Sequence, residues 1–169
     1  YALEYYDVTQ EKMLVEQGEY RFSAGASSAD IRQELECTVS GEVIPPRNLS
    51  HPICIKNYDS KHGIEITLRF SYRKNDWYGC TNDWGCGFTF ADADFVGYTK
   101  AELWAAAPCS QAGVAIYAGE QQLGSVEILP SRSMDDFQLY TIPLEPYTGQ
   151  ADLRLEITGM ASVYRIQLG

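Results

Sequence analysis

The chain has 169 residues, 45% of them hydrophobic, which is enough to bury one good core, or one domain with part of a second. Its 23 acidic residues against 13 basic ones give a formal charge of −10, which repels phosphate backbones and anionic membrane surfaces and so excludes nucleic acid and membrane as partners. No run approaches the roughly 18 apolar residues of a membrane-spanning helix. The opening YALEYYDVTQ has neither the basic nor the apolar stretch of a leader, and a chain that begins at Tyr1 reads as a fragment or a processed product.

Period-two alternation recurs along the chain, and sustained helical spacing is hard to find. Strands are predicted at Glu19 to Ala24 and Ile31 to Val39, which form a short N-terminal β piece over 1–39. Ser40 to Gly63 then carries SGEVIPPRNLSHP, with three prolines and little alternation. Proline lacks the N–H a central strand needs, so 40–63 reads as a linker. Ile64 to Tyr72 is the clearest strand, with Ile64, Ile66, Leu68, Phe70 and Tyr72 on one face and Glu65, Thr67, Arg69 and Ser71 on the other. Further strands are predicted at Thr99 to Ala106, Val114 to Ala118, Gly124 to Leu129, Phe137 to Pro143, Ala151 to Thr158 and Val163 to Leu168, separated by clusters such as AGEQQLG and PSRSMDD. Many short strands at close spacing predict an all-β chain whose main unit, 64–169, is a β-sandwich of jelly-roll type.

Five cysteines, an odd number without a CxxC pair, read as free buried thiols in a reducing compartment, which favours the cytoplasm over secretion. Cys80 and Cys86 alone are close enough in a turn-rich stretch to suggest a local bridge.

Residues 3–36 carry an aromatic pair and an acid in Tyr5, Tyr6 and Asp7, an apolar strand ending in Glu16, the turn Gly18-Glu19-Tyr20, and then Gly25-Ala26-Ser27-Ser28-Ala29-Asp30-Ile31-Arg32. This pattern resembles the end of the fibronectin type III-like domain that closes many family 3 glycoside hydrolases. The resemblance covers none of the catalytic barrel. It implies a β-glucosidase-like parent, with this chain at its C-terminal end and the catalytic domain as a partner.

The run Phe88-Thr89-Phe90-Ala91-Asp92-Ala93-Asp94-Phe95-Val96-Gly97, the strand Leu103 to Ala107, the hairpin Val114 to Leu129 and the strand Phe137 to Thr141 resemble the family 6 type of carbohydrate-binding module. The chain departs from that family in having Phe137 and Tyr140 where tryptophans are usual, and in closing on VYRIQLG rather than Asn-Ile-Asp-Trp. The resemblance implies a jelly roll that binds an oligo- or polysaccharide and often holds a structural calcium. Asp92 and Asp94, with Glu65, are the oxygen ligands available for such an ion.

Sugars are held by flat aromatic faces against their C–H surfaces, aided by amides and carboxylates on the hydroxyls. The densest such collection is the segment 75–86, in which Asn-Asp-Trp occurs twice, so Trp77, Tyr78, Asn82, Asp83 and Trp84 are the candidate glycan ligands on a turn-rich loop at the sandwich rim. The competing reading folds Trp77 and Trp84 back as a cap on the core. Trp104 lies one step out of phase with Leu103, on the opposite face of its strand, where it serves as a surface residue or as a platform. Asp135 and Asp136 read as turn residues, and His51 and His62 as solvated loop residues; neither set provides the acid pair or the triad of a hydrolase.

Two functions follow. One is a non-catalytic accessory domain that binds carbohydrate through the 75–86 rim. The other is a structural domain that packs on the catalytic domain or a partner subunit and shapes its active site.

Overall fold

The computed structural model describes residues 3–70, 75–81, 85–108 and 110–169; for 67–70, 75–78, 80 and 81 it describes the backbone alone. The chain divides into two units, Tyr1–Pro45 and Pro46–Gly169.

The first unit consists of two antiparallel pairs. β1 (Tyr5–Asp7) pairs with β2 (Lys12–Leu14) around a turn in which Asp7 Oδ1 accepts the Thr9 and Gln10 N–H groups and the Thr9 hydroxyl. β3 (Gly18–Ser27) pairs with β4 (Asp30–Val39). Residues directly opposite each other share a face. Tyr20 with Cys37 and Phe22 with Leu35 therefore line one face, and Arg21 with Glu36 and Ser23 with Glu34 line the other, the last two pairs through side-chain bonds of 3.0 and 3.2 Å. Phe22 and Leu35 are exposed within this unit.

The second unit is a sandwich. Its first sheet runs β13 (Gln121–Ile128), β12 (Ala112–Ala118), β15 (Thr148–Thr158), β10 (Cys86–Val96), β5 (Arg47–Asn48), with β7 (Ser60–His62) also on β10. Its second runs β14 (Gln138–Pro143), β11 (Lys100–Ala106), β16 (Ser162–Leu168), β9 (Asn75–Thr81), β8 (Ile64–Phe70), with β6 (Ile53–Cys54) also on β16. All pairings are antiparallel except β5 with β10.

Alternation decides what is buried. Phe88 and Phe90 on β10, Leu153, Leu155 and Ile157 on β15, Val114 and Ile116 on β12, Leu103 on β11 and Val163 and Ile166 on β16 are at most 1% exposed and form one core. The nine strands expected from alternation are present, with ends displaced by up to three residues; Ser71 and Tyr72, expected to close the strand that starts at Ile64, lie outside the described residues. Strand ends are the least constrained part of such a reading, because turn residues also pair.

Two expectations are corrected. The segment 40–63 is not a linker throughout: from Pro46 onward it belongs to the sandwich, and Leu49, Ile53 and Ile55 are buried in its core. Its strands are two or three residues long, and Pro52 stands between β5 and β6, where a missing N–H breaks no ladder. Three apolar anchors in irregular chain give no periodic signal.

Residues 75–81 are a strand and not a rim loop. β9 keeps seven-residue register with β8, pairing Trp77 with Leu68 and Tyr78 with Thr67. The Asn, Asp and Gly that read as turn formers include Gly79, which packs inward. A Cβ built there would lie 2.2 Å from Cζ of Phe88 and 3.1 Å from Cγ2 of Ile64.

Gly79→Ala should therefore overpack the core and lower stability by about 1 to 3 kcal/mol. Leu155→Ala, which opens a cavity beneath β15, should cost about 2 to 5 kcal/mol. Chemical denaturation of both variants measures this, and an unchanged midpoint for Gly79→Ala would contradict the packing.

Candidate functional site: an aromatic strip on the second sheet

Ligand groups on a sandwich come from the residues that alternation turns away from the core. On β11, Leu103 and Ala105 are buried, which sends Glu102 and Trp104 outward. Trp104 is paired with Leu139 of β14 on one side and Arg165 of β16 on the other. The Arg165 guanidinium carbon lies 4.1 Å from the centre of the Trp104 ring and 5.5 Å from that of Tyr164. A register shift after Trp104 makes Tyr164 the extra residue of a bulge, and its ring lies 5.5 Å from that of Phe137 at an interplanar angle of 33°. Leu139 is 53% exposed. Phe137, Tyr164, Arg165, Trp104 and Leu139 thus form a continuous strip across three strands.

The chain leading into Phe137 is held in place by side-chain bonds. Ser131 Oγ accepts the Ala107 N–H at 3.1 Å, and Asp136 Oδ2 accepts the Arg132 N–H at 3.2 Å, which closes residues 131–136 into a fixed turn. This turn, with Leu129, Gln138 and Tyr140, lines a hollow of about 580 Å³. This hollow lies on the other side of β14 from the strip, because Gln138 and Tyr140 stand opposite the buried Ala105 and Leu103, whereas Leu139 stands opposite Trp104. Aromatic rings can stack a sugar ring, and donors beside them, here the Arg165 guanidinium, can bond its hydroxyls.

The outer face of the first sheet offers a second hollow, about 530 Å³, floored by the small residues Gly113, Ala115 and Ser125 and bordered by Tyr117, Glu127, Glu156 and Thr158. Here too an arginine stacks on a ring: Arg154 lies 5.4 Å from the centre of Tyr117. Its charge is already met by Glu120 at 2.9 Å and Glu156 at 3.1 Å. The Glu156 hydrogen bond, opposed by burial, raises the Arg154 guanidinium above its ordinary value.

Of the residues expected to bind glycan, Trp77 and Tyr78 stand on β9, and Asn82, Asp83 and Trp84 lie outside the described residues, as do Cys109 and the side chain of Cys80. β9 adjoins the strip, because Cys80 and Gly79 pair with Ser162 and Val163 of β16. Trp104 is turned outward, as its phase requires. Arg165 and Tyr164 were not singled out by sequence: their alternation marks only a strand, and pairing with Trp104 comes from a register between distant segments.

Asp92 and Asp94, the residues proposed for calcium, both stand on β10. Asp92 is exposed at the bulge between Phe90 and Ala93, with φ of 49°, and its N–H donates to Asp152 Oδ1 at 3.1 Å. Asp94 acts on a different group: burial, and then the Asp94 carboxylate, raise the Tyr98 hydroxyl above its ordinary value. Calcium takes roughly six to eight oxygens. Among the described residues, no group of three or more His, Cys, Asp or Glu is gathered to hold a metal ion.

The sequence matches no protein-family model and no curated protein. Among solved structures, it is similar to the CsCBM6-3 module of Clostridium stercorarium in complex with cellobiose, with a TM-score of 0.66 and 20% identity over 75% of this chain and 98% of that one. It is also similar to a β-1,3-glucan-binding CBM6 of Bacillus halodurans, with a TM-score of 0.66 and 17% identity over 72% of this chain and 96% of the other. A glycoside hydrolase family 43 arabinoxylan arabinofuranohydrolase of Bacillus subtilis, in complex with cellotetraose, aligns with 86% of this chain over 32% of its own length, at a TM-score of 0.68 and 10% identity. These likenesses define the fold: it is the β-sandwich of family 6 carbohydrate-binding modules.

Proposed function

We propose that this chain is a non-catalytic accessory domain that binds an oligo- or polysaccharide. The observation that carries the reading is the sandwich it shares with whole carbohydrate-binding modules, matched over 95 to 98% of the length of several of them. The aromatic strip on the second sheet supports a place for the ligand: Trp104, Tyr164 and Phe137 offer ring surface, and Arg165 offers hydrogen-bond donors beside it. We extend the site along β16 to the neighbouring segment 75–86, with Trp77, Tyr78, Asn82, Asp83 and Trp84 as further glycan ligands.

We infer also that the domain serves a larger glycosidase. The pattern of residues 3–36 supports a family 3, β-glucosidase-like parent, of whose fibronectin type III-like domain residues 1–39 are the last strands. The two-faced β3–β4 hairpin is in keeping with this, since its Tyr20, Phe22 and Leu35 face is the one such a domain would cover with its other sheet. The catalytic domain of that parent is then the partner that the bound glycan is kept near.

Calorimetry with cellotetraose, xylotetraose and laminaritetraose tests this. At least one should bind the chain with micromolar to millimolar affinity. Trp104→Ala and Trp84→Ala should each weaken that binding by about tenfold or more, with the melting midpoint retained, because an aromatic platform carries a large share of such contacts. No binding to any of the three, or to a wider glycan array, would contradict the proposal.

A further inference from the structure

Among the described residues, three arginines of the sandwich stack on aromatic rings, and their charges are treated differently. Arg47 lies 5.5 Å from the centre of Phe90 and is bonded to Asp59 at 2.8 Å. Arg154 lies on Tyr117 and is bonded to Glu120 and Glu156. Arg165, the most tightly stacked of these at 4.1 Å from the centre of Trp104, makes no hydrogen bond or ion pair with any described residue; its Nε, like that of Arg47, is sealed from water without a partner. The nearest outward acid on β11, Glu102, is engaged by Lys100 at 2.9 Å.

A guanidinium held between two rings has lost most of its conformational freedom and presents a planar fork of donors. Among the described residues no carboxylate meets that fork, although the chain carries 23 acidic residues. The group that matches it is a carboxylate, met bidentately. The net charge of −10 opposes a polyanion, so the fitting ligand is a largely neutral glycan with isolated acidic groups.

Resting on the glycan-binding reading of the same strip, we propose that Arg165 is a specificity residue for uronic acid. A sugar of the neutral backbone rests on the rings of Tyr164 and Phe137, and the carboxylate of a uronic acid branch or unit pairs with the Arg165 guanidinium.

The test uses the full chain and one ligand pair: a xylo-oligosaccharide bearing a single glucuronic acid branch, and the same oligosaccharide with that carboxyl reduced to the alcohol. Calorimetry at low ionic strength should find the acid bound about tenfold more tightly or better. Arg165→Gln should bring the two affinities together, and Arg165→Lys, which keeps the charge but loses the fork, should retain part of the preference. Equal affinities in the unaltered chain would overturn the inference while leaving glycan binding in place. So would a preference that survives Arg165→Gln. Failure of both ligands, and of neutral tetrasaccharides, to bind would overturn the glycan-binding reading with it. The ligand comparison is made in the unaltered chain and so decides the matter even if a variant folds poorly.

Discussion

The register between β11 and β16 holds both the core and the candidate site. Leu103 and Ile166 face each other across these strands and are completely buried, and the next pair, Trp104 and Arg165, is thereby turned to the outer face. A slip of one residue would put an indole and a guanidinium into the core and two aliphatic chains into water. Burying Leu103 and Ile166 is worth roughly 1.5 to 3 kcal/mol each, whereas the stack of Arg165 on Trp104 contributes about 0.5 to 2 kcal/mol. Hydrophobic burial therefore sets the register, and the stack follows from it.

The two outer faces of the sandwich express different uses of the same geometry. On the first sheet, the arginine on the ring is pinned by two glutamates, so the charges are satisfied within the protein and the small residues around them leave a polar hollow. On the second, the rings are contiguous, the arginine meets no carboxylate among the described residues, and the bulge at Tyr164 brings its ring next to Phe137. Such a bulge re-aims a side chain where a regular ladder would have alternated it away.

Much of the fold could be read from alternation, since a strand buried on one face must alternate: Ile64 to Phe70, Lys100 to Ala106 and Ala151 to Thr158 are plain cases. What escaped were elements whose burial is not periodic. Leu49, Ile53 and Ile55 enter the core from short pieces of chain on either side of Pro52, and β9 is rich in Asn, Asp and Gly, which ordinarily end strands. The outward phase of Trp104 was legible, because it follows from Leu103 within one strand. Its pairing with Arg165 was not, because that depends on which distant strands become neighbours. The same limit applies to Tyr164, whose place is set by a bulge.

The most direct test of the central claim is where a glycan touches the folded chain. Amide and indole N–H resonances followed during titration with cellotetraose or a glucuronic acid-bearing xylo-oligosaccharide give that map. The account predicts that the indole N–H of Trp104 and the amides of Glu102, Leu139, Tyr164 and Arg165 shift together, while those of Tyr117, Glu127 and Thr158 stay in place. Shifts confined to the hollow on the first sheet, with Trp104 unmoved, would contradict it.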